Sequence, residues 1–168
     1  MGILSKEHRA VQNPALGALL LWRFAAGFHE TSGQAASAPL PLAFLVLPAL
    51  FHEETAQLVN STFKASGLRK FVEKFSSASD AKTDLLLALN RRSIDMRDLT
   101  LESLQLAVYG SLLSIDSRSG GIFPLSTVTP RAGIPASVRP MLSSAEKLGA
   151  WFSQLTTYEV GVILKVAF

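Results

Sequence analysis

The strongest constraint on the fold is a predicted helix that is apolar on every side. Asn13 followed by Pro14 is typical of a helix start, because asparagine caps the first turn and proline at the first helical position has no N–H to leave unpaired. From there to about Gly27, leucines, alanines and Trp22 surround the helix instead of forming one stripe. Such a helix must lie at the centre of a fold, covered by other elements.

A second apolar stretch, Leu40 to Phe51, contains Pro41 and Pro48. This stretch has two possible interpretations, and periodicity does not distinguish them. One is a buried helix that the prolines start or kink, and the other is a strand through residues 43–47. The stretch is shorter than the roughly twenty apolar residues that span a bilayer. We therefore expect it to be buried core and expect no association with a membrane.

The predicted location is the cytoplasm. Basic residues precede the first apolar run as they do in a signal peptide, but Arg23 interrupts the run, which is a poor fit to the usual layout. Cysteine is absent, which excludes a disulfide framework, a thiolate metal site and a cysteine nucleophile. A chain without disulfides suits the cytoplasm.

Helical periodicity continues through most of the chain. The stretch from His52 is predicted to be helical as far as a glycine stop at Gly67, and further helices are predicted after it and near the C-terminal end. Ser143 with Glu146, and Thr156 with Glu159, fit capping boxes. The apolar stripes of two of these helices are Leu68, Phe71, Val72 and Phe75, and Leu148, Trp151, Phe152 and Leu155.

Residues 101–126 predict a helix followed by a tight hairpin. Thr100 is the expected cap, and the hairpin signal is Ser119-Gly120-Gly121 between two short apolar segments. A helix leading into a hairpin is the shape of a winged helix. The predicted fold is mainly α with a small β-hairpin: a flexible leader over residues 1–12, then one compact multi-helix domain over 13–168 with a winged-helix-like part. The side of this helix that is predicted to be apolar carries Leu101, Leu104, Val108, Leu112 and Ile115.

The charge of this helix argues against its reading DNA. No lysine or arginine occurs from Leu99 to Ser117, whereas a recognition helix presents such residues to phosphates and bases. Only Gln105 and Arg118 resemble contacts, and Glu102 would repel phosphate. The stretch is therefore interpreted as facing protein or forming core. The apolar residues predicted to face a partner are Leu104, Val108, Trp151 and Phe152.

Positive charge is concentrated in the middle of the chain. The formal net charge is +3, and residues 64–97 alone carry eight basic and four acidic side chains. A basic face can follow a phosphate backbone or an acidic partner, although an ordinary solvated helix face carries a similar excess. The residues predicted to form a surface for nucleic acid or an acidic partner are Arg69, Lys70, Lys74, Arg91 and Arg92.

No catalytic, cofactor or metal site is predicted. His8, His29 and His52 each stand beside a glutamate, but none has the second histidine one turn later that zinc sites of this kind require. The sequence also lacks a phosphate-binding P-loop, a dinucleotide-binding glycine pattern and a nucleophile elbow. We therefore expect no cofactor and no small-molecule substrate.

Several separated segments resemble the small middle component of bacterial three-component ABC-ATPase systems, which include Lamassu-like anti-phage modules. The resemblance implies a non-enzymatic adaptor that binds an SMC- or Rad50-like ATPase and links it to a separate effector. Its matching positions, among them His52, Gly149, Trp151 and Phe152, are interpreted first as determinants of the fold. The segments are NPALGALLLWRFAAGF from Asn13, PLPLAFLVLPALFHEET ending at Thr55, SGLRKF from Ser66, LLSIDSRSGGIFPL, and AEKLGAWFSQLTTYEVGVILKV from Ala145.

Other functions stay open at this stage. A winged-helix transcription regulator would bind a defined duplex in a salt-sensitive way through Gln105 and Arg118. In an intermediate hypothesis, the assembled complex holds DNA and the basic residues of the middle segment follow its backbone. A nuclease or hydrolase with unfamiliar spacing is the third alternative.

Overall fold

The computed structural model describes residues 13–33, 36–76, 79–130 and 132–168. The leader predicted over residues 1–12 lies outside the described residues, and the division into a leader and one domain stays a prediction.

The described chain is mainly helical, with a small antiparallel sheet, which confirms the predicted fold class. Most of its large apolar side chains join one core. In chain order the elements are α1 Pro14–Thr31, β1 Ala38–Pro39, α2 Leu40–Ala43, α3 Val46–Leu50, α4 Glu53–Ser61, a 3-10 turn Lys64–Ser66, α5 Gly67–Ser76, α6 Ser79–Asp95, α7 Arg97–Tyr109, β2 Leu113–Asp116, β3 Gly121–Pro124, α8 Arg139–Phe152 and α9 Thr157–Leu164.

Helix α1 is the central helix, as predicted. The side chain of Asn13 accepts a hydrogen bond from the backbone N–H of Leu16 at 2.7 Å, which confirms the cap. Every residue from Gly17 to Phe28 except Leu19 is buried. The helix continues past the expected end near Gly27 and stops at Thr31.

Gly27 lies within α1 because another helix passes close to it. A Cβ on Gly27 would lie 2.9 Å from the Cα of Glu146 in α8. The relation is reciprocal, since a Cβ on Gly149 of α8 would lie 2.7 Å from the backbone nitrogen of Phe28. The two glycines thus let the backbones of α1 and α8 approach more closely than residues with side chains would allow.

The apolar stretch at residues 40–51 forms two short helices, α2 and α3, joined by a turn at Phe44 and Leu45. The alternative of a strand through residues 43–47 is therefore wrong. Pro41 and Pro48 both fall within the first three residues of their helices, where a backbone N–H has no helical partner to lose. The prolines divide the segment without interrupting any helical hydrogen bond.

The sheet contains the predicted hairpin and one further strand. Strands β2 and β3 pair antiparallel around a turn at residues 117–120, as expected. The two residues of β1 pair with the other edge of β3, giving the order β1-β3-β2. So short a strand carries no period-two pattern in the sequence. This order, with α7 directly before the hairpin, agrees with the winged-helix-like part, which stays a prediction.

Two of the predicted helix caps are corrected. Thr100 is buried inside α7, which begins at Arg97, and its hydroxyl donates to the carbonyl of Met96 at 3.0 Å. Helix α8 begins at Arg139, so Ser143 lies within it and does not cap it. In both cases the helix starts about one turn before the capping residue type, and the start of α8 coincides with Pro140, a residue type favoured in the first turn.

The capping box at the start of α9 is confirmed. The backbone N–H of Glu159 donates to the hydroxyl of Thr156 at 3.2 Å, and its carboxylate accepts from the backbone N–H of Thr156 at 2.8 Å. These hydrogen bonds from Thr156 lower the pKa of Glu159, because they stabilise the ionised carboxylate.

No single helix in the described part of the chain is both long and apolar enough to cross a membrane. Residues 40–50 and helix α4, which are bent by 104° relative to each other, satisfy that condition only when they are taken together, by length and composition.

Replacement of Gly149 by alanine is expected to destabilise the protein by about 1–3 kcal/mol, because the new methyl group collides with the α1 backbone. This is opposite in sign to the usual effect, since glycine to alanine stabilises an exposed helix interior by roughly 1 kcal/mol. Urea unfolding followed by circular dichroism measures the change. The matched control is Gly110→Ala at the exposed end of α7, where we expect a change below about 1 kcal/mol. Equal effects at the two sites would contradict the close approach.

Candidate interaction surfaces

Helix α7 packs on α1 through small polar residues. Its buried residues are Thr100, Ser103, Leu104 and Ala107. The hydroxyl of Ser103 donates to the carbonyl of Leu99 at 2.7 Å, so the serine is buried with its hydrogen bond satisfied inside its own helix. The predicted stripe is displaced, because hydroxyl residues here occupy positions where a pattern search expects apolar ones.

The opposite side of α7 therefore exposes apolar side chains to solvent. We call this outward side the α7 face and define it by Leu101, Leu106, Val108 and Tyr109, whose exposed fractions are 47, 46, 41 and 80 %. Of the six residues that α7 exposes between positions 101 and 109, these four are apolar or aromatic, and Glu102 and Gln105 are the other two. At 100° per residue, Leu101 and Val108 lie along one edge of this exposed side and Leu106 lies along the other. Glu102, Gln105 and Tyr109 lie between the two edges.

The hairpin extends the apolar surface beyond the end of α7. The backbone N–H of Leu125, after β3, donates to the carbonyl of Leu112 at 2.9 Å, which holds Leu125 beside the α7 end. Leu125 and Ile115 of β2 are both exposed. The apolar character of the surface therefore does not stop at Tyr109.

Charged side chains of both signs occur on and around the α7 face. Asp98 and Glu102 are exposed on α7, as are Arg97 at the start of the helix and Arg118 in the hairpin. Asp116 at the hairpin is held by hydrogen bonds from the Ser119 hydroxyl and the Arg118 backbone N–H, which lower its pKa and keep it ionised. After Arg97, α7 therefore offers no positive side chain to a phosphate backbone.

Three of the four residues predicted to face a partner lie in the core of the chain itself. Leu104, Trp151 and Phe152 are buried, and the indole N–H of Trp151 donates to the carbonyl of Lys64 at 2.8 Å. The structure corrects the expectation for these three, because large apolar side chains on helices that meet α1 are used to build the core. Only Val108 is exposed.

The five basic residues of the predicted surface divide into two groups. Arg69, Lys70 and Arg91 are exposed, and Lys70 pairs with Glu73 at 2.8 Å. Lys74, half-buried, donates to the carbonyl of Ser61 at 2.9 Å. Three of the five residues are therefore exposed, and the side chains of the other two form hydrogen bonds within the fold.

Arg92 is the second of the two basic residues that form hydrogen bonds within the fold. Its guanidinium donates to the carbonyl of Pro48 and to the hydroxyl of Thr55, both at 3.3 Å, so it ties α6 to α3 and α4. Burial lowers the pKa of Arg92, because it removes water that would stabilise the charged guanidinium.

The C-terminal end of α4 binds cations that sequence analysis missed. Lys147 of α8 donates to the carbonyls of Val59 and Asn60 at 2.9 and 3.0 Å, and Lys74 of α5 binds the adjacent carbonyl. Cations are favourable here because the last carbonyls of a helix are unpaired and its C-terminal end is negative. Burial, and then the neighbouring Lys74, lower the pKa of Lys147. Both lysines come from other helices, so no local pattern could have revealed them.

A buried ion pair fixes the loop after β3 to the central helix. Arg23 of α1 is only 5 % exposed, and its guanidinium donates to Glu146 of α8 and to the carbonyl of Thr127 at 2.6 Å. Lys64 approaches the other oxygen of Glu146 at 3.5 Å. A cleft of about 470 Å³ opens beside the pair. The guanidinium of Arg23 already donates to acceptors within the chain. We therefore interpret the ion pair as structural, since it joins α1, α8 and the loop after β3.

His29 and His52 are placed apart from any group that could bind a metal. No cluster of three or more histidine, aspartate and glutamate side chains suited to a metal occurs within residues 13–33, 36–76, 79–130 and 132–168. His52 precedes α4, with Nδ1 3.2 Å from the hydroxyl of Thr55. Burial and the nearby charge of Arg92 lower its pKa. His8 lies outside the described residues.

Replacement of Glu146 by glutamine is expected to cost about 1–3 kcal/mol, because it leaves the buried charge of Arg23 without its counterion. The estimate is below that for a fully buried pair, since the Glu146 side chain is itself partly exposed. The control is Glu73→Gln, which weakens an exposed pair and should cost less than about 1 kcal/mol. Chemical denaturation of both variants measures the difference in the free energy of unfolding. Equal losses would contradict the prediction that the Arg23–Glu146 pair contributes more than an exposed pair.

One comparison with known proteins gives a match. A family model described as ABC-three component (ABC-3C) system Middle Component 3 matches residues 1–168. Comparisons with curated proteins and with solved structures gave no match. A middle component is one part of a system of several components, so the chain acts with partner proteins. The resemblance inferred from the sequence is confirmed, and the chain belongs to the Middle Component 3 family of ABC-three component systems.

Proposed function

We propose that the chain is a non-enzymatic adaptor of the bacterial cytoplasm. It links an SMC- or Rad50-like ABC ATPase to a separate effector in an anti-phage defence complex. Membership of the family supports the setting, and the α7 face is the single observation that carries the adaptor role. On that face, four apolar or aromatic side chains are exposed over two helical turns.

The α7 face is surplus to the fold. Helix α7 is already anchored on α1 through Ser103, which a Cβ on Gly17 would approach to 2.9 Å, and Leu104 of α7 is buried in the core. Leucine and tyrosine side chains exposed on the other side contribute little to stability there, yet each offers apolar area that another protein can bury. Tyrosine is also among the residues that contribute most to the affinity of protein interfaces.

The adaptor role is tested by leaving out one subunit at a time. The chain, its neighbouring ABC ATPase and its neighbouring effector are co-expressed, with the tag on the ATPase, and the complexes are separated by size exclusion. We expect the effector to elute with the ATPase only when the chain is present. Elution of ATPase and effector together without the chain would refute the proposal, as would ATP or nucleic-acid hydrolysis by the purified chain alone.

Contact with DNA is proposed for the assembled complex and not for the isolated chain. Lys70 and Arg91 are exposed cations on α5 and α6, whereas the helix before the hairpin offers phosphate no cation after Arg97. The competing function, a winged-helix regulator, relies on Gln105 and Arg118, which are both exposed. The two hypotheses thus place DNA on different surfaces.

Charge reversal distinguishes these surfaces. Lys70→Glu with Arg91→Glu should weaken binding of the complex to duplex DNA by about tenfold or more and reduce its salt dependence, because phosphate contacts release counterions. The control, Lys165→Glu, changes an exposed lysine outside α5 and α6 and should have a small effect. Filter binding at two salt concentrations provides the measurement. Loss of binding with Gln105→Ala and Arg118→Ala, but not with the charge reversals, would favour the regulator.

A further inference from the structure

A cavity of about 350 Å³ lies between three parts of the chain that are distant in sequence. Its walls come from α2 and the turn after it, from the end of α6 with the start of α7, and from the segment after α9. Leu45 and Val166 are buried in the wall, while Ile94 and Phe168 line the cavity with exposed fractions of 67 and 56 %. A molecule bound here would therefore remove exposed apolar surface from water.

The segment after α9 forms one wall of this cavity through specific contacts. Lys165 adopts a left-handed backbone conformation with a φ of 55°, which turns the chain back toward α9. The N–H of Val166 then donates to the carbonyl of Gly161 at 2.9 Å. Gly161 also leaves room for the ring of Phe168, because a Cβ on this glycine would lie 3.0 Å from the ring. The wall is therefore part of the folded structure.

Among the described residues that line the cavity, only Arg97 and Ser93 have polar side chains. The hydroxyl of Ser93 donates to the carbonyl of Asn90 at 2.6 Å, whereas Arg97 forms no ion pair within the part of the chain that the structure describes. Asp95 and Asp98 are close to Arg97 in the sequence and are exposed, but neither lines the cavity. A guanidinium has N–H donors and no acceptor, so a group that meets it must accept hydrogen bonds.

The size of the cavity favours a small molecule over one side chain of a partner protein. A water molecule takes up roughly 30 Å³ in the liquid, so the cavity has room for about a dozen non-hydrogen atoms. A leucine or phenylalanine side chain is smaller and would leave much of this volume empty. Tryptophan is nearly large enough, but its indole offers Arg97 a donor and no acceptor. Sites for small ligands start at about 300 Å³ and are lined mainly by apolar side chains.

We propose that this cavity binds a small apolar molecule that ends in a hydrogen-bond acceptor, of the class of medium-chain carboxylates. The apolar part packs against Ile94, Phe168 and the buried wall, and the carboxylate accepts hydrogen bonds from Arg97. A carboxylate is the acceptor to which a guanidinium donates most strongly, because both partners are ionised. The described lining contains no histidine, aspartate or glutamate side chain, so we expect the molecule to be bound and released unchanged. The proposal does not depend on the adaptor function.

Isothermal titration calorimetry of the purified full chain tests the proposal with three compounds of equal chain length. Decanoate ends in an ionised acceptor, decanamide ends in a neutral group that accepts and donates, and decylammonium ends in donors alone. We expect one site per chain and a dissociation constant for decanoate at least tenfold lower than that for decylammonium, with decanamide between them. Equal affinity for the three compounds would overturn the proposal, as would a failure of decanoate to bind below the concentration at which it forms micelles.

Two variants with matched controls locate the site. Arg97→Gln should abolish the preference for decanoate over decanamide, whereas Arg91→Gln, at an exposed arginine of α6 outside the cavity lining, should preserve it. Ala167→Trp should fill the cavity and weaken binding of all three compounds at least tenfold, whereas Ala65→Trp in the exposed 3-10 turn should leave it unchanged. Circular dichroism checks that the variants fold.

Two results with these proteins would contradict the assignment. A preference for decanoate that survives in Arg97→Gln would show that another group binds the carboxylate. A peptide that ends in leucine and binds more tightly than decanoate would identify the cavity as a site for a partner protein, and the proposal of a small ligand would then be wrong.

Discussion

The close approach of α1 and α8 is the constraint on which the rest of the structure depends. Gly27 and Gly149 bring the two backbones together, and each side of the contact then positions further groups. From α8, Glu146 reaches back to the buried Arg23, while Lys147 binds carbonyls at the end of α4 and Trp151 binds the 3-10 turn that follows. The end of α4, this short turn and the loop after β3 are therefore held by donors that the two helices position.

The sequence predicted those parts of the fold whose causes are local. Asn13 caps α1 and Thr156 caps α9 through hydrogen bonds within a few residues, and the hairpin follows from glycines at its turn. Expectations at Thr100 and Ser143 were wrong because both residues lie inside helices that begin about one turn earlier. For α8 the sequence does carry a local signal of the earlier start, since Pro140 lies in its first turn.

The interaction surfaces were less predictable for the same reason. Nothing in the pattern of α7 shows that Ser103 faces α1 or that Thr100 is buried, because a hydroxyl that bonds its own helix can be buried at little cost. Counting charges placed an excess of basic residues in the middle of the chain, yet it could not show that Lys74 and Arg92 donate to carbonyls of other helices. The exposed apolar residues of α7 became visible only once its buried side was known.

The position of the central helix in the chain also governs how the protein is made. Helix α1 is apolar around its whole circumference, but α8, which covers one side of it, is more than a hundred residues further along the chain. During synthesis at roughly 5–20 residues per second, several seconds pass between the appearance of the two helices. Over that interval α1 lacks its main cover, and contacts between such distant segments form slowly. A chain built this way completes its core late, so chaperones and early-binding subunits have time to meet α1 before α8 does.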